Sequence, residues 1–272
     1  MIQMFVREGQ PRENLAHADQ LLAHTCGNHP VDIAVLPECM DLGWGNPIAL
    51  QEACPIPGPI SDAIQALAAK YGVYIVAGIT EKAEEGVYNS AILCDSHGNL
   101  LARHRKINLV MHLEDLYQVG NQLTVSDTPF GKIGVDICAD NFPDNLAIGH
   151  ALARMGAQMI LSPCAWLVRP EFDHRKTAYG QMWHTAYREL SRLYDIPVIG
   201  VSHVGPVSTG KGAGRKAIGN SIAYGAGGTL LAELPFGENA ETTQILSVPI
   251  LPPIQRGTYL TRELERRGYR GI

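Results

Sequence analysis

The chain has 272 residues, 46% hydrophobic and 18% charged, with a net charge of −5; this is an ordinary globular balance with enough apolar residues for a large core. Lysines and arginines are scattered rather than gathered into a basic stripe, which excludes a nucleic-acid partner. The opening MIQMFVREGQ has no basic start followed by an apolar run, and no stretch approaches about 18 consecutive apolar residues, so neither a secretion signal nor a membrane span is expected.

Short apolar, β-branched runs recur along the chain. VDIAVLP (Val31 to Pro37), VYIVAGI from Val73, NSAILC from Asn89, KIGVDIC from Lys132, AQMILSP from Ala157 and IPVIGVS from Ile196 read as mostly buried strands. A first strand is expected to begin at Met1 and to be short. Helical patterns lie between the runs, at Glu13 to Ala23, Ile60 to Lys70, Asn145 to Met155, and in a long stretch from Asp173 to Tyr194. Pro59 with Ser61 and Asp62 suits a helix start, and Gly72 suits its stop. The Gly-rich region from Gly205 to Gly228 precedes LLAEL and TQILSVPI, which read as late strands separated by a turn at Phe236 to Asn239. Strands alternating with helices predict an α/β fold. No tract of different composition divides the chain, so residues 1–272 are read as a single domain, with 255–272 as a charged C-terminal arm or surface helix.

Six cysteines (Cys26, Cys39, Cys54, Cys94, Cys138 and Cys164) are too sparse for a disulfide scaffold and form no Cys-x-x-Cys pair. Reduced thiols in a cytoplasmic protein are expected, most of them packing as small hydrophobes. His174 and His184 stand ten apart on the long helical pattern, the wrong spacing for a metal pair, and read as solvated or interface residues. Ser202 beside His203, and Ser208, lack a G-x-S-x-G elbow and read as loop. Gly205, Gly210 and Lys211 give G-x-x-x-x-G-K, but Gly212 follows where a phosphate loop needs Ser or Thr.

Three segments share one form, a strand-like run that ends at a reactive side chain: VLPECMDLGW at Glu38, HRKINL at Lys106 and GVDICADNFP at Cys138. Strand ends are where α/β folds build sites. A cysteine near its usual pKa of about 8.5 needs a base or a cation beside it to act as a nucleophile, and Glu38 and Lys106 supply both. Cys39, next to Glu38, is expected to point to the opposite face and pack.

In this order and spacing the three segments resemble the signature segments of the nitrilase, or carbon-nitrogen hydrolase, superfamily. The stretch GITEKAEEGVYNSAILCDSHGNLLARHRK and the late GNSIAYGAGGTLLAEL are similar to further parts of that family, so the likeness covers nearly the whole chain. The resemblance implies a four-layer α-β-β-α sandwich and an acyl-enzyme mechanism on a non-peptide carbon-nitrogen bond, with neither metal nor organic cofactor. Glu38 is the base, Cys138 the nucleophile, and Lys106 with the backbone N–H of Ala139 the oxyanion holder. Glu114, in HLEDLYQVG, matches a second glutamate that the family places between the lysine and the cysteine, where it holds the lysine. Asp140 and Asn141, after the nucleophile, and Trp166, after LSPCAW, are expected to contact the substrate, with core packing as the alternative for Trp166.

The expected reaction is amide hydrolysis on a small linear substrate, with N-carbamoyl or nitrile hydrolysis as alternatives and a non-catalytic scaffold as the reading from another class. The loop after Cys138 carries no arginine, the usual fork for a substrate carboxylate. Arg169 and Arg175 are candidates to supply one, while Asp140 and Asp173 would suit an amine; the sequence leaves this open. The resemblance also implies a homo-oligomer, a dimer or higher.

Overall fold

The computed structural model describes residues 1–253 and 257–271. The first half of the chain runs β1 (Ile2–Gln3), α1 (Pro11–Asn28), β2 (Ile33–Val35), α2 (Ala49–Glu52), α3 (Pro59–Tyr71), β3 (Tyr74–Ala83), β4 (Gly86–Cys94) and β5 (Leu100–Arg105). Strands β2, β3, β4 and β5 pair in that order into a four-stranded sheet, β2 parallel to β3 and the rest antiparallel. There follow β6 (Val125–Thr128), β7 (Gly131–Val135), α4 (Ala147–Met155), β8 (Met159–Cys164), β9 (Leu167–Val168), α5 (Gln181–Tyr194) and β10 (Val198–Ser202). Then come β11 (Val204–Pro206), β12 (Lys216–Ile218), β13 (Ile222–Gly225), β14 (Thr229–Glu233), β15 (Thr242–Thr243) and α6 (Thr258–Arg266). The second large sheet has the order β14-β13-β10-β8-β7-β6, with β7, β8 and β10 parallel.

The alternation of side chains along β3 shows how the layers stack, because successive residues of a strand face opposite ways. Ile75, Ala77 and Ile79 pack in one cluster with Leu22 of α1 and Ile64 of α3. Tyr74 and Val76 instead join a cluster with Ile133 of β7 and Leu161 of β8, which extends to Leu152 of α4 and Leu190 of α5. Two sheets thus lie face to face with helices outside each, the expected four-layer α-β-β-α sandwich. Both faces of β3 are buried, which is why its sequence reads as an unbroken apolar run.

Most predicted elements fall where the periodicity puts them, and α3 has the expected ends: Pro59 opens it, and Gly72 closes it at φ +64° with its N–H on the Ala68 and Ala69 carbonyls. Two expectations need correction. The helix expected from Asp173 begins only at Gln181: the Lys176 and Thr177 N–H groups turn onto the Asp173 carbonyl, and Gly180, at φ +101°, breaks the path. Of TQILSVPI only its first residue, Thr243, joins a ladder, together with Thr242, against β1. Beyond it, Leu246, Val248 and Ile250 still rest against the core while the intervening residues face solvent, an alternation without a pairing strand. The C-terminal arm is docked, since α6 buries Leu260 and Leu264 and Arg267 bonds the Leu193 carbonyl; residues 255, 256 and 272 of that arm lie outside the described residues.

The three parallel strand ends of the second sheet and the ends of β2 and β5 meet at one edge, where the Glu38 N–H donates to the Cys164 carbonyl at 3.2 Å. Gly78 of β3 makes this approach possible: its N–H bonds the Pro37 carbonyl at 3.0 Å, and the Met40 N–H bonds its own carbonyl at 2.9 Å. A Cβ at Gly78 would lie 2.5 Å from Glu38 Cα and 2.8 Å from Pro37 O. Gly78→Ala is therefore expected to lower unfolding stability by about 1–3 kcal/mol, the usual cost of overpacking, measured as an earlier urea midpoint.

Candidate active site

Glu38 follows β2 through Pro37, whose missing N–H suits the point where pairing stops. The chain then turns sharply, with Cys39 at φ +46°, and the turn is tied to β3 by Asp41, whose carboxylate accepts from the Thr80 N–H and hydroxyl at 3.0–3.2 Å. Lys106 continues from β5, its N–H on the Asn89 carbonyl at 2.8 Å and its own carbonyl accepting from the Gly120 N–H at 2.8 Å. Glu114 lies eight residues further, in the loop that returns beneath the lysine.

The three side chains are fully buried and bonded to one another. Lys106 Nζ donates to Glu38 Oε1 at 2.8 Å and to Glu114 Oε1 and Oε2 at 2.8 and 2.9 Å. Asn89 Nδ2 donates to Glu38 Oε1 at 2.6 Å and Glu114 Oε1 at 3.0 Å, the Trp44 indole N–H to Glu114 Oε1 at 2.8 Å, and the Val110 N–H to Glu114 Oε2 at 2.7 Å. Glu38 Oε2 has no hydrogen-bond partner among the described residues. Burial pushes the Glu38 carboxyl up to about 7; the Lys106 ammonium opposes the shift and Glu114 adds to it. Burial alone would pull Lys106 down, but Glu114 and Glu38 outweigh it and hold the ammonium well above the ordinary lysine range.

Cys138 opens a one-turn 3-10 helix, Cys138–Asn141, just past β7. Its backbone sits at φ +46°, a region that non-glycine residues seldom occupy and that must be held by the surroundings. Ser162 Oγ accepts the Cys138 N–H at 3.1 Å, and Asn141 Nδ2 reaches Asp136 Oδ1 at 2.7 Å and Ser162 Oγ at 3.3 Å. The first N–H groups of a helical turn have no carbonyl partner within it, which leaves the Ala139 N–H at the head of the turn beside the sulfur. Burial pushes the Cys138 thiol well above its usual value, as do Cys164 and Glu38, and Lys106 opposes them. Burial therefore favours the neutral thiol, set within the field of both Glu38 and Lys106.

Asp140 departs from its expected role. Both its oxygens are used inside the protein: Oδ1 accepts the Ile107 and Asn108 N–H groups at 3.1 and 2.8 Å, and Oδ2 accepts the Ile137 N–H at 3.0 Å and pairs with His104 Nε2 at 2.7 Å. It clips the cysteine turn to the lysine loop and has nothing left for a substrate. Although burial opposes it, the His104 bond and charge keep the Asp140 carboxyl below the usual range. Asn141 is likewise turned inward. Trp166 is buried and stacked on Trp183 at 5.0 Å, with its indole N–H lacking a partner among the described residues. Cys39 packs as expected, among Leu42, Trp44 and Tyr117, though from a left-handed turn rather than a strand. His174 stacks on Phe236 at 4.1 Å and His184 bonds the Tyr224 hydroxyl at 2.9 Å. Among the described residues, no group of three His, Cys, Asp or Glu side chains is placed to hold a metal ion, and no helix is long and apolar enough to cross a membrane.

Sequence reasoning did not assign Asn89 or Trp44, the two donors that finish the carboxylate pair. Asn89 carried a signal, an amide within an otherwise apolar strand run, which burial makes costly unless it is bonded. Trp44 carried none.

The family model for carbon-nitrogen hydrolases matches residues 1–250, and the chain belongs to that family. It is 27% identical to a deaminated glutathione amidase of Yersinia enterocolitica over 230 residues, 77% of this chain and 75% of the relative. It is 30% identical to the omega-amidase NIT2 of Danio rerio over 164 residues, 57% of this chain and 58% of the relative. The fold matches a carbon-nitrogen hydrolase from Helicobacter pylori G27 with a TM-score of 0.76 at 24% identity, covering 86% of this chain and 83% of that one.

Glu114→Ala removes two of the three oxygens around a buried ammonium, so an unfolding free energy lower by about 3–5 kcal/mol is expected in urea titration. Trp44→Phe removes one indole donor and should cost about 1–3 kcal/mol. If Glu114→Ala were as stable as the wild type, the ammonium would have another partner than the one described.

Proposed function

From membership of the carbon-nitrogen hydrolase family, we propose that this chain is a cysteine amidase that converts a small linear amide to its acid and ammonia through a thioester acyl-enzyme. The observation that carries the reading is the buried Glu38–Lys106–Glu114 cluster beside Cys138, with one oxygen of Glu38 left unbonded. Two of the relatives above are named amidases, which supports an amide as the reacting centre.

Glu38 takes the thiol proton as Cys138 Sγ bonds to the amide carbon. The oxygen that gains the electron pair is held by the Lys106 ammonium and the Ala139 N–H, a pair of donors fixed before the substrate arrives. Glu38 returns its proton to the amide nitrogen, the carbon-nitrogen bond breaks, and ammonia leaves a thioester on Cys138. Water then attacks that carbon while Glu38 takes its proton, and the carbon-sulfur bond breaks to release the acid and restore the thiol. Lys106 stays charged throughout because Glu114 remains beside it.

The working form requires an ionised Glu38, whose carboxyl is raised to about 7. kcat/KM should accordingly rise with pH on an acid limb near that value, which belongs to the whole coupled cluster. Lys106, held well above the ordinary lysine range, imposes no alkaline loss below about pH 10. A profile flat from pH 5 to 8 would remove Glu38 as the base.

Ammonia release should be measured for the wild type and Cys138→Ala on a panel of small amides, N-carbamoyl compounds and nitriles. Turnover of an amide, lost by a factor on the order of 10⁴–10⁶ in the variant, is expected. Hydroxylamine added to the wild type should divert the acyl group to a hydroxamate. Ammonia release that survives Cys138→Ala, or none from any amide, would overturn the reading.

A further inference from the structure

Resting on the amidase reading, the surroundings of the site narrow its substrate. A cavity of about 570 Å³ opens beside the buried cluster, walled by the loop from Ile107 to Val119 that follows Lys106 and by the segment from Ala139 to Asn145 that follows Cys138. Glu114 and Ala139 both line it, so it reaches the partner of Lys106 and the residue after Cys138, while Glu38, Lys106 and Cys138 themselves lie behind its wall. The charged side chains on its wall are Glu114, Asp115 and Asp144, all acids. Glu114 is matched by Lys106, Asp115 is paired with Lys211, and Asp144 is exposed at the rim.

The rest of the wall is hydrocarbon and amide. Leu109, Val110 and Met111 form one side and Phe142 the other, and Phe142 continues inward to Trp183 at 5.3 Å, which stacks on Trp166. Asn108, also on the wall, has a buried Nδ2 with no partner among the described residues, a neutral donor suited to a carbonyl or hydroxyl oxygen. The two arginines that the sequence offered as carboxylate forks do not line the cavity: both Arg169 and Arg175 are exposed, and Arg175 is bonded to Asp173 at 3.1 Å.

We infer that the substrate is an amide whose remaining part is apolar and carries no carboxylate. A substrate carboxylate in this cavity would leave water for a wall with no free cation among the described residues and would face acidic side chains, which opposes binding. An alkyl or aryl chain gains by covering the apolar wall, and an amine at its far end meets Asp144.

The test is a set of six-carbon amides of matched length, hexanamide, 6-aminohexanamide and adipic acid monoamide, compared by kcat/KM from ammonia release. Hexanamide and 6-aminohexanamide are each expected to exceed the monoamide by about 100-fold. Asp144→Arg, at an exposed position outside the buried cluster, should raise kcat/KM for the monoamide relative to hexanamide by about tenfold. Equal or better use of the monoamide by the wild type overturns this inference while leaving the amidase reading intact. A monoamide rate, relative to hexanamide, unmoved by Asp144→Arg overturns the assignment of this cavity as the acyl site. No ammonia from these or any other amide overturns the amidase reading itself.

Discussion

A single ammonium without water sets the terms for this fold. Lys106 Nζ is fully buried and held by three carboxylate oxygens; without them the charge would cost several kcal/mol to keep in the interior. Glu38 and Glu114 must therefore arrive at one point, and that demand fixes how the end of β2 and the loop after β5 approach. One cation between two carboxylates also leaves an excess of negative charge in a dry place. That excess joins burial in raising Glu38, so the same packing that satisfies the lysine gives the glutamate an affinity for protons useful near neutral pH.

The Cys138 turn is held by different means. Cys138 occupies a left-handed conformation that costs free energy by itself, and the neighbours that stabilise it are polar groups with no part in the proposed bond changes. Ser162 takes its N–H, Asn141 is anchored by Asp136, and Asp140 ties the turn to both His104 and the lysine loop. The sulfur and the ammonium thus keep their relation through Asp140, a short rigid link between the two sheets. The sheets themselves contribute packing, and this layer of buried hydrogen bonds contributes registration.

Much of this was legible in the sequence. Unbroken apolar runs marked strands covered on both faces, and their abrupt ends at Glu38, Lys106 and Cys138 marked the edge where the groups meet. Less legible were features decided by tertiary context. Asp140 looks identical in sequence whether it faces a substrate or three backbone N–H groups, and only the approach of the lysine loop decides. Gly180 reads as tolerable within a helical pattern, but at φ +101° it ends that pattern. The alternation in TQILSVPI is real, since alternate residues do touch the core; alternation reports burial, and a ladder additionally needs a free edge to pair with. Trp44 lies in a loop with no periodicity to flag it, and its indole N–H is assigned a task only by the carboxylate that reaches it.

The protonation state of Cys138 has a further bearing on how such a protein lives among reactive metabolites. Alkylating agents and peroxides consume thiolates far faster than thiols, and burial beside a carboxylate favours the protonated form of this sulfur. In that form a thiol reacts slowly with indiscriminate electrophiles. In the mechanism proposed above, a carbonyl seated against the ammonium changes that, because it accepts the electron pair at the same moment as Glu38 accepts the proton. On that proposal, chemical restraint and reactivity share one origin: the thiol is activated only by a carbonyl that the ammonium can hold.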